Sequence, residues 1–107
     1  MTMEDFVAYY ENVHSKLGEK HLTTASRYVR HYFYPLPYVL DGNAKTEEPE
    51  YDVMTEVFFD NQDDYEKLTN MLRDPKINKI FADDEENLFD RSKSRTVLVQ
   101  DRESRLR

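Results

Sequence analysis

The residues with the most chemical potential are one histidine, a group of tyrosines and one carboxylate. His14 follows Tyr10 by four residues in a segment with helical spacing. At 100° per residue its Cβ lies about 80° from that of Phe6 and about 40° from that of Tyr10, on the border of the apolar stripe. An imidazole there has one dry edge and one edge that can reach a pocket, and it titrates near neutrality, so it suits general acid/base work. The plainer reading is a boundary histidine that bonds a backbone carbonyl and packs. Tyr28, Tyr32 and Tyr34 alternate along a β-type segment and share one face. Their phenols could orient a planar ligand, or they could form a tyrosine-rich interface between subunits. Glu56 sits amid apolar strand residues, where a carboxylate is costly unless it is paired or titrates upward. Arg30 on the neighbouring strand is a partner for it; the other reading is a base or anchor facing a cavity.

The elements that must hold these groups follow from periodicity. Thr2 is placed to cap a helix over Met3–Leu17, with Asp5 in its first turn and Phe6, Tyr10, Val13 and Leu17 in one stripe. Gly18 reads as its C-terminal stop. Ser26–Tyr34 reads as a strand, Pro35–Glu50 as a long loop, and Tyr51–Asp60 as a second strand. Asp60 or Asn61 caps a helix carrying Tyr65, Leu68, Met71 and Leu72. Asp74-Pro75 breaks it and starts another, which runs to about Phe89 through Ile77, Ile80, Phe81 and Leu88. A last strand is expected over Arg95–Asp101, centred on Thr96-Val97-Leu98-Val99. The order α-β-β-α-α-β is that of a ferredoxin-like α+β domain without its opening strand.

Both faces of each strand are apolar or aromatic. Val29 and Phe33 oppose Tyr28, Tyr32 and Tyr34, and Val57 and Phe59 oppose Met54 and Phe58. Helices cover one sheet face in such a domain, so the other predicts a homodimer packed sheet to sheet. On this reading His31, opposite Arg30, touches the helices, and His21 sits exposed in a turn.

Composition narrows the classes. The 107 residues suit one domain, and eight Tyr and six Phe supply apolar area that disordered chains lack. A net charge of −7 argues against general binding to nucleic acid or anionic membrane. The chain has no cysteine, which excludes thiolate chemistry and cysteine metal sites, and it shows neither a secretory leader nor an apolar run of membrane-spanning length. A cytoplasmic protein is the expectation. The histidines fall on different elements without i, i+4 spacing, and phosphate-cradling glycine loops are missing, so neither a metal nor an organic cofactor is expected. Asp83–Glu86 reads as a solvated acidic helix face.

Tyr9, Tyr10, His14 and Leu17 within Phe6–Leu17 resemble the opening helix of the EthD family. Tyr51–Asp60 is similar to that family's third strand, and Ala82–Asp90 to its closing helix. The resemblance implies one EthD-like domain over 1–103, a frayed tail over 104–107, and a dimeric α+β barrel with a pocket between sheet and helices. Family members usually open with a strand before this helix, whereas here Met1 stands almost at the helix cap. Relatives of this fold include cofactor-independent monooxygenases, decarboxylases and cyclases acting on small aromatic or polyketide-like compounds. In that light His14 and Tyr10 are the catalytic candidates, and Tyr28, Arg30, Tyr32 and Glu56 the substrate-binding ones. The alternative is a non-catalytic small-molecule-binding or dimerisation domain.

Overall fold

A hydroxyl and two acids start the first helix. In the computed structural model, which describes residues 1–35, 49–88, 90 and 93–107, the Thr2 hydroxyl accepts a hydrogen bond from the Asp5 amide at 3.1 Å. Glu4 and Asp5 lie where the dipole favours acids. The helix runs from α1 (Met3–Tyr9) through a π-helical turn (Tyr10–His14) into α2 (Ser15–His21). The Ser15 hydroxyl donates to the Glu11 carbonyl at 2.7 Å, closing a side-chain bond within the widened turn.

That turn corrects the expected stripe. A π turn accommodates an extra residue and rotates the residues after it. The buried line is therefore Phe6, Tyr10, His14, Ser15 and Gly18, while Val13 is 43% exposed. Gly18 does not stop the helix, which continues to His21. A Cβ on Gly18 would stand 2.8 Å from the Tyr28 hydroxyl and 2.9 Å from Cζ, so this glycine makes room for the Tyr28 ring.

Two antiparallel strands come next, β1 (Arg27–Tyr32) and β2 (Val53–Phe58), in register from Arg27 opposite Phe58 to Tyr32 opposite Val53. The Phe33 amide extends the ladder to the Asp52 carbonyl at 2.9 Å. Tyr28, Arg30, Tyr32, Val53, Thr55 and Val57 form the face beneath the first helix; Arg27, Val29, His31, Met54, Glu56 and Phe58 form the other. α3 (Gln62–Leu72) is capped by the Asn61 side chain, which accepts from the Asp64 amide at 2.8 Å. α4 (Pro75–Glu85) is capped by Asp74, with Pro75 in its first turn.

The fold is α+β, with an antiparallel sheet packed on one face, consistent with a ferredoxin-like unit. Among the described residues its buried apolar centre is small: Phe6, Tyr10 and Leu68. Phe6, Tyr10 and Tyr32 form a ring cluster, with centroids 6.0 Å apart for Phe6–Tyr10, 6.4 Å for Phe6–Tyr32 and 5.7 Å for Tyr10–Tyr32.

The expected strand at Arg95–Asp101 does not form. Among the described residues the sheet has two strands, and residues 94–107 adopt no regular element and are exposed. β-branched spacing suits a segment for a sheet, but a strand exists only where an edge satisfies its N–H and C=O groups. Residues 36–48 of the expected loop, and Phe89 at the expected end of the last helix, lie outside the described residues.

Candidate functional site

The π turn aims three side chains at the rest of the molecule. Tyr10 points to the sheet, where its hydroxyl and that of Thr55 share a 2.5 Å hydrogen bond. Glu11 also points to the sheet, toward β1. His14 points to α4, where Nδ1 lies 2.6 Å from Asp84 Oδ2. A carboxylate oxygen accepts, so the bond is read with Nδ1 as its donor. The other Asp84 oxygen accepts from the Tyr9 hydroxyl at 2.7 Å. Asp84 thus holds two residues of the first helix, one through each oxygen.

His14 is 7% exposed and packs edge-on to Tyr10, with ring centroids 4.7 Å apart, and to Phe81 at 6.5 Å. Burial pushes the Tyr10 phenol above its ordinary pKa. The hydrogen bond to Asp84 does the same for Tyr9. Both phenols therefore stay neutral at physiological pH, Tyr9 as a donor to Asp84.

A second cluster joins helix and sheet. Arg30 Nη2 and Nε donate to the two Glu11 oxygens at 2.6 and 3.0 Å, and the Tyr32 hydroxyl donates to the same carboxylate. The guanidinium holds Glu11 below the usual carboxylate range. Burial, and then Glu11, hold Tyr32 above the usual phenol range. The Arg30 guanidinium lies 4.9 Å from the Tyr28 ring centroid, and Tyr28, raised chiefly by burial, fits against Gly18.

The structure brings His14, Tyr10, Tyr28, Arg30 and Tyr32 together on the helix-facing side of the sheet and separates Glu56 from them. The partner expected for Glu56 is corrected. Arg30 faces Glu11, and Glu56 instead accepts from His31 Nε2 at 2.6 Å on the opposite face. Val29 and Glu56 are register partners, so Glu56 and Arg30 point to opposite faces, and His31 faces away from the helices. Tyr28 and Tyr32 meet the helix, while Tyr34 is 63% exposed.

Two residues of the site escaped the sequence reading. Asp84 was hidden in an acidic run, yet Ile77, Phe81, Asp84 and Leu88 share one helix stripe by spacing, and that stripe was the available signal. Glu11 had no such signal, because a π turn leaves no simple mark in composition. Two shallow hollows are lined by Asn61, Gln62, Asp63, Asp64 and Lys67, and by Glu19, Leu22 and Ala25–Tyr28; neither includes His14. Among the described residues no three His, Cys, Asp or Glu side chains converge as metal ligands, and no helix is long and apolar enough to cross a membrane.

The family model for the EthD domain matches residues 1–92. The chain belongs to the EthD family. The match spans both clusters, so the EthD domain here is the unit that carries His14, Asp84 and the Glu11–Arg30–Tyr32 group. No curated protein and no solved structure matches this chain.

Proposed function

We propose that this EthD domain is a cofactor-independent acid/base enzyme for small phenolic or β-keto compounds, aromatic or polyketide-like. The observation that carries the reading is the His14–Asp84 pair. Nδ1 is committed to the carboxylate, so Nε2 takes a proton from a phenol or from a carbon between two carbonyls. The imidazolium formed is balanced by Asp84, and the substrate becomes a phenolate or enolate. Tyr10, neutral and beside the imidazole, orients the oxygen that gains charge, and Tyr28, Arg30 and Tyr32 form the floor behind it. Decarboxylation, cyclisation or oxygen insertion (lyase or monooxygenase chemistry) can each start from such an anion. Glu56, on the far face, has no part in this reading. The working form is a cytoplasmic homodimer, with the face bearing Val29, Met54 and Phe58 turned to a second copy.

Deuterium exchange tests the proton step before any full reaction is known. In D2O the protein should speed exchange of the acidic C–H of a β-keto ester or a resorcinol, followed by NMR, and His14→Ala should abolish that effect. Equal exchange in both proteins would sink the His14 assignment.

One observation favours a second reading, a non-catalytic binding or dimerisation domain. His14 is buried, and Tyr10, Arg30 and Tyr32 are each spent on protein partners. Ligand binding without exchange would decide for it.

A further inference from the structure

We infer that Tyr9 is a positioning residue for the acid/base pair: its hydroxyl holds the Asp84 carboxylate in the orientation from which Oδ2 meets His14 Nδ1. The consequence for turnover rests on the acid/base reading of that pair, whereas the effect on the His14 ring does not.

A carboxylate bound through one oxygen is poorly fixed. The terminal torsion of an aspartate is broad and roughly two-fold, so a single hydrogen bond leaves the carboxylate plane free to swing. Here both oxygens are engaged. The Tyr9 hydroxyl donates to Oδ1 at 2.7 Å, and His14 Nδ1 lies 2.6 Å from Oδ2. Two bonds through different oxygens set the plane. The His14 and Asp84 side chains are only 9% and 11% exposed, so little water competes for either bond.

The π turn lets one carboxylate serve both residues. In an α-helix, residues five apart lie about 140° round the axis, and Tyr9 and His14 would face different ways. The Ser15 amide instead bonds the Tyr10 carbonyl, five residues back, and the widened turn brings both side chains to α4. Turns of this kind recur at functional sites.

The residue type fits the task. A phenylalanine would supply the same ring, so the hydroxyl is what distinguishes Tyr9. Its bond to Asp84 holds the phenol above its ordinary pKa, so Tyr9 stays protonated while an imidazole titrates. It steadies the carboxylate without entering the proton transfer. Small displacements of a catalytic group are costly, which gives a steadied Asp84 its value.

NMR of the His14 ring is the direct test, because it needs no substrate. In Tyr9→Phe the Nδ1 proton should exchange with water about tenfold faster, the effect of losing one charge-assisted hydrogen bond, and the ring nitrogen resonances should move. Resonances and exchange left unchanged would overturn the role. In an Asp84→Ala background the same substitution should leave the ring nitrogens where they are. Equal movement in both backgrounds would mean that Tyr9 reaches His14 by another route, and would also overturn it. Site-specific 3-fluorotyrosine at Tyr9 keeps the ring and hydroxyl should Tyr9→Phe not fold. The sharper donor should move the His14 ring nitrogens, and unmoved nitrogens count against the role. Deuterium exchange into the β-keto ester should fall by about 10- to 100-fold in Tyr9→Phe. Full activity in that variant would overturn the positioning role. Absence of activity in every chain would instead sink the acid/base reading, with the His14 resonances still deciding on Tyr9.

Discussion

His14 and Asp84, 70 residues apart in sequence, meet at 2.6 Å with both side chains nearly buried. The pair fixes the protonated nitrogen of the ring and ties α4 to the first helix. Asp84→Asn keeps the shape but removes the charge that offsets an imidazolium. If the acid/base reading holds, exchange activity in this variant should fall by about 10²–10⁴, the usual range for a general acid/base group. His14→Ala should be at least as impaired, and the double variant no worse than the poorer single one, as kinetics on all three would show.

Glu11 makes acid stability testable. Its folded pKa lies below the ordinary value of 4.5, chiefly through the Arg30 hydrogen bond. A depressed folded pKa contributes stability that is complete above the unfolded value and is lost as pH falls through the folded one. Glu11→Gln should therefore lower stability near pH 7 by about 1 kcal/mol, since the carboxylate is partly solvated. Below the carboxylate range it should cost little. Urea unfolding at several pH values reads the convergence, and curves that stay parallel would refute it.

Gly18 separates two opposite effects. An unhindered alanine in a helix would stabilise by about 0.5–1 kcal/mol relative to glycine. A Cβ at 2.8–3.0 Å from the Tyr28 ring must displace it, and overpacking of this kind costs about 1–3 kcal/mol. Thermal unfolding of Gly18→Ala should show a lower Tm; a raised Tm would show that the ring moves freely.

Inserting one alanine after Asn12, an exposed residue of the π turn, should add about 100° of helical rotation and turn His14 away from Asp84. Far-UV circular dichroism should keep its helical signal. The downfield Nδ1 proton of His14 in NMR spectra should vanish. Persistence of that resonance would mean that the turn does not set the site.

Helix and strand positions were legible in the sequence because caps and periodicity are local. Thr2, Asn61 and Asp74-Pro75 start helices as their chemistry dictates, and β1 and β2 fall inside their expected ranges. His14 and Tyr10 were legible as neighbours for the same reason. The π turn was not, since it depends on how the helix meets the sheet. Glu56 illustrates a different limit: its need for a partner was readable, but the choice between Arg30 and His31 depends on which face each occupies. Arg95–Asp101, which joins no ladder among the described residues, shows that strand propensity carries no information about whether an edge is waiting.

The shared carboxylate of Asp84 also governs how α4 lies along the first helix. Phe81, whose ring packs edge-on to those of His14 and His21, gives α4 an apolar contact that would tolerate sliding along its partner, because dispersion contacts have no preferred register. Two hydrogen bonds from Tyr9 and His14 to one residue admit a single axial position. A slip of one helical turn would strand both donors. The polar seam acts as a key that encodes alignment, leaving the aliphatic contacts to supply adhesion.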